Sequence, residues 1–169
     1  MKDSILELLH EQVTMEASAS AEYINMASWC ETKGYKNAAE FLYTHAKEER
    51  EHMLKIMRYI NDMGDHAVHP DIQNIGEEYK SLREVFENVL ENEENVTESI
   101  HEVVSMCLEE ADYATFNFMQ WYVKEQREEE LLAKRALELF DLIGEDGVGL
   151  YMIDKEIGKL DKWVEGKVE

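Results

Sequence analysis

The sequence predicts an all-α protein: a four-helix bundle with one long crossover and a short fifth helix near the C-terminal end. Three observations carry that expectation. With eight glycines and one proline in 169 residues, 33% of them charged and 44% hydrophobic, the composition suits long helices and lacks the turn residues of a strand-rich fold. Glycine and proline are absent from 1–33, 35–63 and 77–143. The breaks between these runs are of two kinds, short and long, and their lengths set the topology.

A first helix spans about Ser4 to Lys33 and stops at Gly34, and a second runs from Lys36 to Met63. The run from Glu77 to Ile143 must hold two more, because a single helix over that run would stretch about 100 Å. Asp112, in EEADYATF, is the N-cap candidate that divides them. Beyond Gly144, the segment EDGVGLYMIDKEIGKL offers a fifth helix from Leu150 to Leu160. Residues 1–160 then form one domain, and 161–169 a C-terminal tail. Gly34 and the Ala111–Asp112 break leave room only for tight turns, so helices one and two form an antiparallel hairpin, as do three and four. The stretch from Gly64 to Gly76, with Pro70 inside it, reaches about 43 Å when extended, roughly the length of either helix in the first hairpin. That link can traverse the whole bundle.

Charge excludes several function classes. A formal net charge of -21 would repel nucleic acid and anionic membranes, whereas cations would be attracted. The opening MKDSILELLHEQ places charges inside any would-be apolar segment, so it does not read as a secretory signal, and no run approaches the ~20 apolar residues of a membrane span. A cytoplasmic protein is expected. Cys30 and Cys107 lie far apart without a CxxC, which points to small core residues rather than a disulfide framework or a thiolate metal site.

Within the amphipathic helices, carboxylates occupy slots that should be apolar. The stripe of helix one reads Leu9, Val13, Glu16, Ser20, Tyr23, Ala27, Cys30; that of helix three reads Phe86, Leu90, Glu93, Thr97, Ile100, Val104, Cys107. Each has a glutamate in its third slot, and one constant offset lays the first stripe on the second, Leu9 on Phe86 and Cys30 on Cys107. The same offset carries Glu49 and His52 onto Gln126 and Glu129, so each hairpin bears Glu-x32-[Glu/Gln]-x-x-[His/Glu], as an internal duplication would. Heights agree too. Glu16 and His52 lie equally far either side of Gly34, and Glu93 and Glu129 lie just as far either side of Ala111. In antiparallel hairpins equal distances from the turn mean equal heights, and residues three apart share a face.

Four glutamates in one buried layer would cost several kcal/mol or more each unless a cation compensated them. A pair of metal ions is the economical answer, and carboxylates with one imidazole suit iron or manganese. Di-iron carboxylate bundles place a glutamate on each of two helices and Glu-x-x-His on each of the others. Here the second motif reads Gln126-x-x-Glu129, which makes the two positions unequal.

With these residues in place, the chain resembles the ferritin family over positions 1–160, most closely the bacterial non-haem ferritins. HEQVTMEASASAEYINMASWC, HAKEEREHM, ATFNFMQWYVKEQREEE and GLYMIDKE carry the resemblance. It implies a ferritin-like fold and a first iron site from Glu16, Glu49 and His52, with Glu49 bridging. A second site would use Glu93 and Glu129, with Gln126 beside the pair. Glu48, Glu125 and Glu128 match a third, outer site that shares Glu129, and Tyr23 and Trp121 match aromatics near the centre that supply electrons. It further implies ferroxidase activity with dioxygen or peroxide as oxidant, and a cage of twenty-four copies holding ferric mineral.

Each residue also has a plainer reading. Glu48, Glu125 and Glu128 fit a solvated helix face, Tyr23 and Trp121 fit packing with a polar handle, and His45, His10, His66, His69 and His101 fit structural histidines. Relatives that carry haem place a methionine inside the E-x-x-H interval; here Arg50 and Glu51 stand there, so no haem is expected. A rubrerythrin-like peroxidase would need CxxC pairs, a bacterioferritin a second E-x-x-H, and a DNA-coating mini-ferritin a basic tail in place of DKWVEGKVE. A metal-free helical interaction module would have no reason to keep four carboxylates in core slots.

Overall fold

The computed structural model describes residues 1–73, 75–76 and 78–165. Helices α1 (Asp3–Lys33), α2 (Lys36–Asp62), α3 (Leu82–Glu109) and α4 (Tyr113–Ile143) form the bundle, followed by α5 (Gly147–Ile157) and α6 (Leu160–Glu165). α1 packs along α2, α3 along α4, and α1 against α3. The crossover from α2 to α3 joins the two hairpins. None of the described helices is long and apolar enough to cross a membrane.

The hairpin turns are copies of one another. Gly34 has φ +90° and Ala111 has φ +53°, and the offset that relates the two glutamate stripes also carries Gly34 onto Ala111. Gly34 N–H donates to Glu31 O and Tyr35 N–H to Cys30 O; Ala111 N–H donates to Leu108 O and Asp112 N–H to Cys107 O. Both are Schellman closures around a left-handed residue. Glycine adopts that conformation freely, whereas Ala111 does so against its Cβ.

Caps explain the helix starts. Asp112 accepts from Thr115 N–H at 3.0 Å and from Thr115 Oγ1 at 2.7 Å, as the sequence predicted. α3 starts at Leu82, with Ser81 Oγ accepting from Glu84 N–H at 3.1 Å and the Glu84 carboxylate accepting from Lys80 N–H. This pairing closely parallels a capping box. α5 begins earlier than Leu150, because Asp146 accepts from Gly149 N–H at 2.7 Å. Past Ile157 the chain turns and continues as α6 through positions expected to be tail; residues 166–169 lie outside the described residues.

The expected stripe of α3 is rotated by one position at alternate slots. Val89, Val96 and Val103 are buried, while Leu90, Thr97 and Val104 are half-buried. Apolar residues stand side by side at two of these slots, so periodicity alone does not set which one faces inward. Packing against α1 and α4 does.

The core is split. One apolar cluster gathers Tyr23, Ala27, Leu42, Phe86, Phe140 and Ile153 near the Gly34 turn, and another gathers Ile5, Leu9, Val13, Ile56, Ile100 and Met119 at the opposite end. Cys30 and Cys107 are buried, one in each cluster. Buried polar residues on all four helices, Gln12, Glu16, Ser20, His45, Glu49, His52, Glu93, Gln126 and Glu129, occupy the middle stretch of the bundle.

Candidate metal centre

α1 contributes Glu16, α2 Glu49 and His52, α3 Glu93, and α4 Gln126 and Glu129, and all six are buried. Glu16, Glu49 and His52 bring one donor atom each within 4.8 Å of one another. Glu49, Glu93 and Glu129 do the same. Glu49 belongs to both groups, so its carboxylate stands between two adjacent candidate ion positions.

Hydrogen bonds aim these groups. Gln12 Nε2 donates to Glu16 Oε1 at 2.8 Å, one turn away on α1. Tyr23 Oη donates to Glu93 Oε1. Gln126 Nε2 donates to the Glu93 carboxylate and, at 3.0 Å, to the Glu93 carbonyl, so it steers Glu93 from the neighbouring helix. Tyr122 Oη donates to the His52 carbonyl at 2.8 Å and ties α4 to α2 at the height of the centre. His52 Nδ1 lies 3.3 Å from Glu49 Oε2 and 3.8 Å from Glu16 Oε2. Two carboxylate oxygens, Glu16 Oε2 and Glu49 Oε1, are buried with no hydrogen-bond partner among the described residues.

Electrostatics follow from crowding like charges where water is absent. Burial, joined by Glu93 and Glu16, pushes the Glu49 carboxyl well above its usual range despite a hydrogen bond from His52. Burial and the neighbouring Glu129 raise Glu93 to about 7. Burial also raises the Tyr23 phenol well above normal, with Glu93 and Glu49 adding to it. Burial pulls the His52 imidazole down, but Glu16 and Glu49 outweigh it and lift it to about 11. Glu129 goes the other way: burial would raise it, and the charges of His45 and His52 hold it below its usual value. Without an ion, then, the centre neutralises itself by keeping protons.

The outer acidic residues are placed differently from one another. Glu48 is exposed and joins His45 and Glu129 in a third group within 4.8 Å. Glu125 and Glu48 line an open basin of about 960 Å³ beside His52, together with Lys55, Phe118 and Trp121. Glu128 is half-buried and enters none of the three groups found among the described residues. Trp121 meets the His52 ring edge-on at 5.2 Å between centroids, and the Lys55 ammonium sits 3.1 Å above the Trp121 ring centre.

Sequence reasoning missed several participants. His45 reads as a structural histidine, yet it touches Glu129; its place one heptad before His52 was the signal. Gln12, four residues before Glu16, carried a similar one. Asp154 on α5 gave none: it accepts from Ala38 N–H at 2.9 Å and Asn37 N–H at 3.1 Å, capping the helix that carries Glu49 and His52.

The ferritin family model, described as a ferritin-like domain, matches residues 6–143. A probable bacterial non-heme ferritin-like protein of Haemophilus influenzae is 43% identical over 160 residues, 95% of this chain and 97% of the relative. A bacterial non-heme ferritin of Campylobacter jejuni is 40% identical over 157 residues, covering 93% of this chain and 94% of its own. Among solved structures, an open pore ferritin from Archaeoglobus fulgidus aligns with TM-score 0.90 and 35% identity over 94% of this chain and 96% of its own. The ferritin of Chlorobium tepidum aligns with TM-score 0.84 and 38% identity over 94% of this chain and 98% of its own.

Proposed function

The chain belongs to the ferritin family, and from that premise we propose that it stores iron and acts as a ferroxidase, oxidising Fe(II) at a paired carboxylate site inside each subunit. One observation carries the reading. Glu49 is shared by two buried donor groups, and one carboxylate oxygen each on Glu16 and Glu49 is buried without a hydrogen-bond partner among the described residues. A buried carboxylate oxygen without a donor is costly; two cations would supply the missing interaction.

Fe(II) is the substrate. Glu16, Glu49 and His52 hold one ion, Glu49, Glu93 and Glu129 the other, and Gln126 keeps Glu93 turned towards it. Oxygen donors favour the harder ferric ion, so the ligand set itself assists loss of an electron. Each Fe(II) gives one electron, and two ions with two protons reduce one dioxygen to hydrogen peroxide; peroxide as oxidant accepts the same two electrons and leaves water. The protons held by Glu49, Glu93 and His52 leave as cations bind. Tyr23, which donates to Glu93, and Trp121, edge-on to His52, would be the residues that supply further electrons by family likeness. Glu48, Glu125 and Glu128 are the acidic positions a third, outer ion would use by family likeness, and two of them, Glu48 and Glu125, line the basin beside His52.

Ferric product would collect as mineral inside a cage of this chain, twenty-four copies by family likeness, whose net charge draws cations in. Cytoplasmic residence fits this reading. Aerobic addition of Fe(II) should produce rapid ferric absorbance and a large soluble iron-loaded particle on size exclusion. Glu49→Ala with His52→Ala should abolish the fast phase. An unchanged initial rate in that double variant would dismiss the assigned site, and a particle that takes up no iron would favour a metal-free interaction module.

A further inference from the structure

His45 is buried, and both of its ring nitrogens are engaged. Nδ1 lies 3.1 Å from Glu129 Oε2, with Glu48 Oε2 at 3.4 Å, and Nε2 lies 3.1 Å from Asp161 Oδ1. Phe41 packs against the ring at 4.1 Å between centroids, tilted by 34°, which restricts its rotation. Asp161 comes from α6, an element that supplies no member of the three donor groups found among the described residues. That helix is itself anchored: Leu160 is buried in the core, and the Arg135 guanidinium sits 5.5 Å over the Trp163 ring. Asp154, on the preceding α5, grips the start of α2. A continuous path of contacts thus runs from the C-terminal helix through one imidazole to a carboxylate of the centre.

We propose that Asp161 and His45 form a positioning couple for Glu129, by which α6 orients the carboxylate that holds the second metal ion. The inference rests on the reading of Glu49, Glu93 and Glu129 as an ion position and adds to it the residues that set its geometry. A carboxylate with a rotatable end occupies one orientation only if a partner fixes it, and partners one step removed from an ion commonly change its affinity about 10- to 100-fold. Glu129 has its partner in His45. His45 could swing about its own side-chain bonds, and Asp161 on the opposite ring nitrogen prevents that. The first position, from Glu16, Glu49 and His52, makes no such link to α6 among the described residues and should not feel it.

The test is anaerobic titration of the assembled, metal-free protein with Co(II), followed by calorimetry and visible absorbance. The parent should bind at least two ions per subunit in resolvable steps, any third, outer ion binding more weakly, and Glu129→Ala identifies the second. Asp161→Ala should weaken that step about tenfold and leave the other unchanged, while Asp161→Asn, which still accepts from Nε2, should stay within about threefold of the parent. His45→Gln should match Asp161→Ala, and the double variant should be no worse than either, because the pair acts as a unit. If Asp161→Ala does not assemble, His45→Gln and Asp161→Asn carry the test. An Asp161→Ala isotherm that superimposes on the parent overturns the couple, as does equal weakening of both steps. Loss of a third, weaker step with the first two intact would make His45 a ligand and also overturn it. A parent that binds fewer than two ions would instead overturn the paired site itself.

Discussion

Replacing Glu93 with glutamine should flatten the pH dependence of stability in the metal-free protein. The Glu93 carboxyl is raised from an ordinary 4.5 to about 7, so between those values the folded chain holds a proton that the unfolded chain has lost. Stability therefore falls as pH rises through that window, the reverse of a salt-bridged carboxylate. At about 1.36 kcal/mol per pH unit, this group costs the fold about 3 kcal/mol at pH 8 and less than about 1 kcal/mol at pH 5. Glutamine has nearly the same shape and never ionises. Its amide would meet the Gln126 amide, and a mismatched hydrogen bond costs about 1 kcal/mol, but that cost does not vary with pH. The assay is calorimetry of chelator-treated protein at pH 5 and pH 8 and fixed concentration. About 2–4 °C of Tm accompanies each kcal/mol in a chain of this size, so the parent should lose about 5–10 °C more than Glu93→Gln between the two pH values. Parallel curves would refute the reasoning, since they would mean that Glu93 is already ionised at pH 5 or is not desolvated.

The same protons bear on binding. With Glu93 at about 7 and His52 at about 11, Co(II) binding at pH 6 should release protons, measurable as a dependence of the calorimetric heat on the buffer, and affinity should rise from pH 6 to pH 8. Asp154→Ala should cost about 1–3 kcal/mol, because the Asn37 and Ala38 N–H groups lose their acceptor at a helix interface; calorimetry should record a lower Tm, and an unchanged one would show that water replaces the cap. Ala111→Gly should stabilise the protein by up to about 1 kcal/mol by relieving the left-handed backbone at φ +53°, read as a rise in Tm, with a fall counting against the strain.

Much of the site was legible in the sequence through periodicity. Helical spacing and the constant offset between the hairpins place Glu16, Glu49, His52, Glu93, Gln126 and Glu129 at one height without coordinates, because rise per residue is constant along a helix and both hairpins turn at matching positions. Asp112 was legible as a cap for a similarly local reason: its side chain bonds three residues ahead. Long-range contacts were not legible. Which of two adjacent side chains faces inward on α3, Val89 or Leu90, depends on the helices it meets. That Asp154 caps α2 across 116 residues, and that Asp161 reaches His45 across another 116, follows from where α5 and α6 dock, which no periodic pattern encodes. The outer residues Glu48, Glu125 and Glu128 looked alike in the sequence, and only packing separated them. The sequence determined which chemistry gathers at the centre, because a buried carboxylate in a core slot is an energetic anomaly visible one helix at a time. Tertiary structure decided how each carboxylate is aimed, because aim comes from hydrogen bonds between elements far apart in the chain.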